Sequence, residues 1–235
     1  MDIAALLEQL AQMGSEANRK GMARFAINTE KAWGIPVHRL RSLAKTIGKD
    51  LELSEALWQS GFHEARLLSF FVLPPAACTP QLMAERLSQI NSWDLCDQAC
   101  AVFATHPEAL QIAMVWCQKT AEFEKRAGFS LMACAAVHQK KTADKALLPL
   151  LNIIEQHATD PRRYVYKAVN WALRQIGKRS LFLNGAAVQS AFRIREIPDK
   201  TARWIASDAL RELTGTGVQL RLAGKSQVKQ NASIA

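Results

Sequence analysis

The sequence has no apolar run long enough to cross a membrane and no nucleotide-binding motif. None of its apolar segments approaches the ~20 residues that a membrane-spanning helix requires. Residues 1–7 lack the basic flank and the cleavage site of a signal peptide. Walker-type phosphate loops and glycine-rich dinucleotide fingerprints are also absent. We therefore expect a soluble, cytoplasmic protein that has no cofactor and no membrane partner.

The cysteines follow neither a disulfide framework nor a metal-ligand pattern. Cys96 and Cys100 are one helical turn apart, but no Cys-x-x-Cys pair or nearby histidine completes a zinc site. The cysteines are odd in number and lie mostly in apolar helical runs, as reduced core cysteines do. They are Cys78, Cys96, Cys100, Cys117 and Cys134. With 235 residues and 49% hydrophobic composition, the chain can bury a large core without disulfides or metals.

Strand signals are nearly absent, and the chain consists of successive predicted helices about 11 to 18 residues long. Segments 131–137 and 146–154 are apolar on more than one face, so they need neighbours on both sides. Stacked helical hairpins provide such neighbours, and a hairpin period of roughly 40 residues is typical of HEAT repeats. We expect an all-α, HEAT-like solenoid of about five or six antiparallel helix pairs with a concave basic face. The alternative is an irregular helical bundle.

Positive charge is concentrated in the second half of the chain. The net charge is +9, but residues 1–120 have a balance of −1 and residues 121–235 a balance of +10. We expect residues 1–215 to form a single domain and residues 216–235 to be a flexible C-terminal tail. The last twelve residues carry only Lys225 and Lys229, so most of the excess lies in predicted helices. This charge is consistent with a nucleic-acid partner.

The segment 162–179 separates apolar from basic residues at helical spacing. Its apolar stripe is Val165, Val169, Ala172, Leu173 and Ile176. Its second stripe is Arg163, Lys167, Trp171, Arg174 and Lys178. A basic helix face that contains one indole suits a polyanion with rings or sugars to pack against, which describes nucleic acid. Alternatively, the face is merely solvated, and Trp171 packs under a neighbouring helix.

Two further places contain residues that core packing alone does not explain. If Ser92 caps a helix, Trp93 and Asp97 lie one turn apart on the face opposite the apolar stripe. Arg126 lies at the start of a nearly uniformly apolar helix, where a charge requires an anionic partner. A functional site requires Trp93, Asp97 and Arg126 to converge with Trp171. The structural alternative is that Asp97 caps a helix or forms an ion pair with Arg126.

The other tryptophans and the five histidines are expected to be structural. Trp33, Trp58, Trp116 and Trp204 lie among apolar helical positions and are expected to fill gaps between helices. The histidines share no helical face, so no catalytic or metal-binding role is expected for them.

At these residues the chain resembles the AlkD-like DNA alkylation repair family, the HEAT-like alkylpurine DNA glycosylases. The resemblance extends from about Asn18 to Thr214, and three segments carry it, in the family's order and approximate spacing. They are Trp93-Asp94-Leu95-Cys96-Asp97, Lys125-Arg126-Ala127 and Trp171-Ala172-Leu173-Arg174. The tryptophan, alanine, leucine and arginine of the third segment are the most specific part.

By this resemblance, Asp97 matches the family's catalytic carboxylate and Arg126 its site arginine. Trp93 and Trp171 match its two site tryptophans. Phe25 matches a site tyrosine of active relatives and lacks the hydroxyl, which leaves an aromatic contact but no hydrogen bond from this position.

The resemblance implies a monofunctional DNA glycosylase without a cofactor. Such an enzyme hydrolyses the N-glycosidic bond of cationic N3- or N7-alkylated purines in double-stranded DNA and leaves an abasic site. The residues expected to hold the DNA backbone are Arg163, Lys167, Arg174 and Lys178. The family also contains members that bind DNA without excising bases, so a non-catalytic binder of damaged or branched DNA is the alternative. A protein-interaction scaffold is a third hypothesis, and a monomer is the expected oligomeric state.

Overall fold

The computed structural model describes the backbone of residues 2–232 and the side chains of residues 2–225. All regular structure in this part of the chain is helical, and it contains no β-strand. The predicted all-α class is therefore confirmed. No helix in the described part is both long enough and apolar enough to span a bilayer.

The chain folds into two compact units, which divide between His106 and Pro107. The first unit contains one short 3-10 helix, Pro75–Ala77. Its α-helices are α1 (Ile3–Gln12), α2 (Glu16–Arg24), α3 (Val37–Ile47), α4 (Leu51–Gln59), α5 (His63–Val72), α6 (Pro80–Leu87) and α7 (Trp93–Phe103).

The second unit also contains one 3-10 helix, Asp144–Leu147, which leads directly into an α-helix. Its α-helices are α8 (Ala109–Trp116), α9 (Glu122–His138), α10 (Leu148–Gln156), α11 (Arg163–Gly177), α12 (Leu181–Arg195), α13 (Lys200–Leu213) and α14 (Thr216–Ala232).

Polar side chains fix where several of these helices begin. Asp50 accepts a hydrogen bond from the backbone N–H of Leu53 (3.0 Å), which satisfies one donor in the first turn of α4. Thr79 accepts one from the N–H of Leu82 (3.2 Å), and Pro80 occupies the first position of α6. Proline suits this position because its missing N–H would have no partner inside the helix.

A buried carboxylate holds the segment between α2 and α3 in the first unit. Glu64, which is fully buried, accepts hydrogen bonds from the backbone N–H groups of Trp33 (2.9 Å), Gly34 (2.6 Å) and Ile35 (3.1 Å). Gly34 has a positive φ of 82°, and a Cβ atom there would lie 2.3 Å from the carbonyl oxygen of Ser15. Only glycine fits this conformation and this space. The carboxylate thereby sets the path of the chain into α3.

The second unit contains helices related by a constant residue offset. The side chains of Asn170 and Asp208 (2.7 Å) and of Arg174 and Glu212 (2.7 Å) join α11 to α13, and both pairs are 38 residues apart. Because the separation is the same one turn further along, α11 and α13 run parallel. Glu155 and Arg193 join α10 to α12 with the same separation. The offset agrees with the hairpin period of roughly 40 residues that the sequence predicts.

The faces of α11 are those that its spacing predicts. All five residues of the predicted apolar stripe are buried. The five residues of the basic stripe are exposed or half-buried. The five cysteines are buried and none of them forms a disulfide, which confirms that they are core residues.

The tryptophans differ from one another in burial. Trp58 (1% exposed) and Trp116 (5%) fill the interior as predicted, and Trp33 is half-buried and stacks on Phe62 with ring centroids 4.3 Å apart. The prediction is wrong for Trp204, which is 43% exposed. It lies outside the buried stripe of α13, which is formed by Ala202, Ile205, Ala206, Ala209 and Leu213.

Residues 216–235, for which the sequence predicts a tail, include helix α14. Leu222 of this helix is buried, and α14 contacts α12 and α13. Gln219 donates hydrogen bonds to the carbonyl oxygen of Leu213 (2.6 Å) and to the Asn184 side chain (3.1 Å). The final residues of the predicted tail, 233–235, lie outside the described residues.

Candidate functional site

A groove of about 590 Å³ in the first unit contains the predicted site residues of that unit. Phe25, Trp93 and Asp97 all line it. The rest of its lining is mainly apolar and includes Met22, Ile27, Ile35, Pro36, Val37 and Leu67. A carboxylate and two aromatic rings therefore face a common, largely apolar space.

A hydrogen bond connects the two aromatic residues of the groove. The indole Nε1–H of Trp93 donates to the backbone carbonyl of Phe25 (3.0 Å), which follows the last residue of α2. The Phe25 ring itself is 71% exposed. The next residue, Ala26, has a positive φ of 54°, so the chain turns sharply here. The bond thus holds the indole of α7 against the end of α2.

Helix α7 presents Trp93 and Asp97 on one side. Ser92 is the N-cap residue with an extended backbone (φ −149°, ψ 152°), but its hydroxyl accepts no hydrogen bond from the first turn. The buried side of α7 consists of Leu95, Cys96, Ala99, Cys100 and Phe103. Trp93 and Asp97 are half-buried, one turn apart and directed to the groove.

A buried hydrogen-bonded pair, His63 and Asp94, lies beside these residues. The His63 Nε2 atom is 2.8 Å from a carboxylate oxygen of Asp94, and the two side chains are 5% and 14% exposed. Burial alone would raise the pKa of the Asp94 carboxyl, but the hydrogen bond and the charge of His63 outweigh it, so the pKa is below its usual value. Both residues also line the groove. Sequence reasoning missed this pair, because no local spacing connects residues 31 positions apart.

Arg126 lies in the second turn of α9, in the second unit. It is 6% exposed, and its Nη1 donates to the backbone carbonyl of Tyr164 (2.7 Å) at the start of α11. The neighbouring Lys125 pairs with Asp160 (2.9 Å), which also accepts from Arg162. Burial opposes ionisation of Asp160, but the hydrogen bonds from Arg162 and Lys125 hold the pKa of this carboxyl far below its ordinary value. The hydrogen bond to Tyr164 fixes the guanidinium of Arg126 relative to α11.

The basic stripe of α11 is divided into a paired and an unpaired half. Arg174 (2.7 Å) and Lys178 (2.6 Å) both form ion pairs with Glu212 of α13. Burial alone would raise the pKa of Glu212, but the hydrogen bond from Lys178 and the charge of Arg174 outweigh burial, so the pKa is below its usual value. Arg163 and Lys167 are exposed and form no ion pair within the described residues. The uncompensated charge of this stripe therefore lies in the N-terminal half of α11.

The predicted site residues are thus distributed over both units. The first unit brings Phe25, Trp93 and Asp97 together in one groove. The second unit carries Arg126 on α9 and a half-buried Trp171 on α11, together with the four basic residues of the stripe. Within the described part of the chain, no three His, Cys, Asp or Glu side chains are arranged to bind a metal ion.

Comparison with solved structures shows where else this fold occurs. One match is a structure described as representing a new family of proteins related to the HEAT-like repeat DNA glycosylases with affinity for branched DNA structures. It has a TM-score of 0.76 and 17% identity, and the match covers 92% of this chain and 97% of the other. Another is smu.31 from Streptococcus mutans UA159, with a TM-score of 0.54, 18% identity, and coverage of 81% and 96%. These similarities confirm the HEAT-like fold.

Sequence comparison identifies the family. No curated protein sequence matches this chain significantly. The family model described as DNA alkylation repair enzyme matches residues 6–213, which is most of the chain. The match includes every predicted site residue, from Phe25 to Lys178. The chain belongs to the DNA alkylation repair enzyme family.

Proposed function

We propose that this protein is a monofunctional DNA glycosylase that acts on purines with a cationic alkyl adduct at N3 or N7 in duplex DNA. The observation that carries the proposal is the placement of Asp97 and Trp93 on one wall of the groove, in a chain of the DNA alkylation repair enzyme family. A carboxylate can stabilise positive charge that develops on the sugar, and an aromatic ring can pack against a cationic nucleotide.

The reaction begins with a leaving group that needs no proton. Alkylation gives the base a positive charge, so the bond between C1′ and the base nitrogen breaks with its electron pair moving to the base. The departing base is neutral, and positive charge develops on the sugar. The Asp97 carboxylate stabilises this oxocarbenium-like sugar and orients a water molecule, which adds to C1′ and loses a proton. The products are a free base and an abasic site.

The aromatic residues bind the nucleotide that reacts. Trp93 and Trp171 pack against the deoxyribose and attract the cationic nucleotide, with each cation–π contact contributing about 0.5 to 2 kcal/mol. The hydrogen bond from Trp93 to the Phe25 carbonyl fixes the first indole before DNA binds. Phe25 adds a ring contact. Neutral lesions are poor substrates in this scheme, because their leaving groups need an acid.

The basic residues of the second unit bind phosphates. Arg126 holds a phosphate near the lesion, and Arg163, Lys167, Arg174 and Lys178 hold the duplex backbone. Arg174 and Lys178 contribute less than the other two, because they share the carboxylate of Glu212. The protein acts as a monomer.

Base release under single-turnover conditions tests the role of Asp97. Wild-type protein and the Asp97→Asn variant are each mixed, in excess, with duplex DNA methylated at purine nitrogens. The rate at which free 3-methyladenine and 7-methylguanine appear is measured for each protein. The variant is expected to release both bases at least ~100-fold more slowly, because it cannot stabilise the positive sugar. Its affinity for the DNA is expected to stay within about twofold.

A matched control separates this effect from a general loss of charge. Glu52→Gln removes an exposed carboxylate from α4, away from the groove, and is expected to release both bases at the wild-type rate. If Asp97→Asn also released them at that rate, the proposed role of Asp97 would be wrong.

A second candidate function is non-catalytic binding of branched DNA. It is favoured by the similarity to the structure with a TM-score of 0.76, whose family is described as having affinity for branched DNA, and by the missing hydroxyl at Phe25. It predicts that the wild type binds DNA in a salt-sensitive manner and releases no alkylated base.

A further inference from the structure

Trp204 of α13 is an exposed aromatic residue that neither the core nor the proposed reaction uses. It is 43% exposed, whereas the opposite side of α13 is buried against the rest of the second unit. A large ring left in solvent loses the free energy that burial would provide. A single exposed ring is not by itself a binding surface, so its surroundings decide whether it has a ligand.

The contact with α11 fixes the position of the Trp204 ring. Its centroid is 5.1 Å from that of Tyr166, and the ring planes meet at 73°. Asn170 and Asp208 form a hydrogen bond one helical turn further along both helices (2.7 Å). The indole is therefore held in place before any ligand arrives, although almost half of the residue remains accessible.

Unpaired cations lie on the same turns of α11 and α13 as this aromatic pair. Lys200 lies one turn before Trp204 on the same face of α13, and Arg203 precedes Trp204 directly. Arg163 and Lys167 lie on α11, within one turn of Tyr166. All four cations are exposed, and none of them forms an ion pair within the described part of the chain.

The other end of the same two helices has a different charge pattern. Arg174, Lys178 and Arg211 all pair with Asp208 or Glu212 there. Because α11 and α13 run parallel, the unpaired cations lie at the end that carries Tyr166 and Trp204. Positive charge and an accessible ring thus occur together only at the N-terminal end of the described α11–α13 pair.

We propose that Trp204 is a stacking site for an unpaired nucleotide of DNA, with Lys200 and Arg203 bound to the adjoining phosphates. The inference rests on the proposed function in one respect, that DNA is the partner. Bases inside a duplex already stack on one another, whereas a base in a flap, gap or frayed end is available to an indole. The chemistry selects an unpaired strand and not a sequence, because every base has a π face.

The affinity of the full-length protein for two matched DNAs tests this site. One is a fully paired duplex, and the other is the same duplex with a short single-stranded flap. Trp204→Ala is expected to weaken binding to the flap DNA by about fivefold or more, which corresponds to the loss of one stacked base. Binding to the paired duplex is expected to stay within about twofold. Trp204→Phe, which retains a ring, is expected to preserve most of the flap affinity.

Phe192→Ala is the matched control, because Phe192 is also 43% exposed but lies on α12. It is expected to change neither affinity. Thermal unfolding of each variant establishes that the fold is intact. The stacking site is overturned if Trp204→Ala binds the flap DNA as wild type does, or if it loses affinity for both DNAs alike. Wild-type protein that binds neither DNA overturns the proposed function as well.

Discussion

At the scale of single residues, the groove depends on contacts that join distant parts of the first unit. Trp93 is held by the carbonyl of Phe25, and Asp94, the next residue, is held by His63. Asp97 lies one turn further along the same helix. The start of α7 is therefore fixed at two consecutive positions, which keeps the carboxylate of Asp97 in one place relative to the aromatic residues.

The pair of His63 and Asp94 predicts a pH-dependent contribution to stability. The folded-state pKa of Asp94 is below its ordinary value of about 3.9. The contribution of ionised Asp94 to the free energy of unfolding is therefore complete above its ordinary pKa. It is lost as the pH falls through the folded-state pKa. Asp94→Asn is expected to lower the free energy of unfolding at pH 7, and its difference from wild type is expected to shrink as the pH falls below about 4.

Urea unfolding of wild type and variant between pH 7 and pH 3 measures this difference. Glu52→Gln, which removes an exposed carboxyl, serves as the control and is expected to change stability little at pH 7. A difference between wild type and Asp94→Asn that stayed constant down to pH 3 would contradict the assignment.

At the scale of elements, the close packing of α9 on the end of α8 depends on Gly128. A Cβ atom at this position would lie 2.5 Å from the backbone nitrogen and 2.7 Å from the sulfur of Cys117. Backbone atoms cannot yield by rotating a side chain, so the two helices would have to separate. Gly128→Ala is expected to destabilise the protein by about 2 kcal/mol or more, within the range for overpacked cores.

Gly185 in α12 provides the matched comparison. Apart from its chain neighbours and the backbone of its own helix, no atom lies within 4 Å of a Cβ placed there. Gly185→Ala is expected to stabilise the protein by roughly 0.5 to 1 kcal/mol, because alanine favours a helix more than glycine does. Chemical denaturation of both variants measures the two free energies. Equal effects of the two substitutions would show that the contact at Cys117 is not what constrains α9.

The buried face of a helix could be predicted from the sequence where apolar residues recur at helical spacing. In α11, the apolar stripe from Val165 to Ile176 is buried, and the helix covers Arg163–Gly177 within the predicted segment. The prediction for Trp204 is wrong because Ala202, Ile205 and Ala206 near it in sequence are apolar, whereas its own angular position on α13 lies outside the buried stripe. Burial in α13 follows the angular position of each residue around the helix, not the average hydrophobicity of the segment.

The pairing of charges could not be predicted in the same way. The sequence places Arg174 and Lys178 on the same basic stripe as Arg163 and Lys167. Only the tertiary structure shows that Glu212, 38 residues after Arg174, neutralises one half of that stripe. The buried pair of His63 and Asp94 was missed for the same reason. In contrast, the proximity of Trp93 and Asp97 depends on helical spacing alone, so it was accessible from the sequence.

At the scale of the whole molecule, the uneven charge predicts how DNA binding responds to salt. The net charge of +9 arises entirely from residues 121–235. Each phosphate contact contributes about 0.9 to the slope of log affinity against log salt concentration. Lys167→Ala is expected to reduce this slope by about one. Lys178→Ala is expected to reduce it by less, because Glu212 already compensates that charge.

Titrations of duplex DNA with each variant at several salt concentrations measure these slopes. Identical slopes for Lys167→Ala and Lys178→Ala would show that the ion pair with Glu212 opens when DNA binds. If both variants had the same slope as wild type, Lys167 and Lys178 of α11 would not contact DNA phosphates.

The central claim is that the protein hydrolyses glycosidic bonds only where the base is already cationic. The most direct test compares two duplexes that differ at one position, which carries either 7-methylguanine or the neutral base hypoxanthine. Free base and alkali-labile abasic sites are measured after incubation with excess wild-type protein. We predict release of 7-methylguanine with formation of an abasic site, and no release of hypoxanthine. Release of neither base, or equal release of both, would contradict the claim.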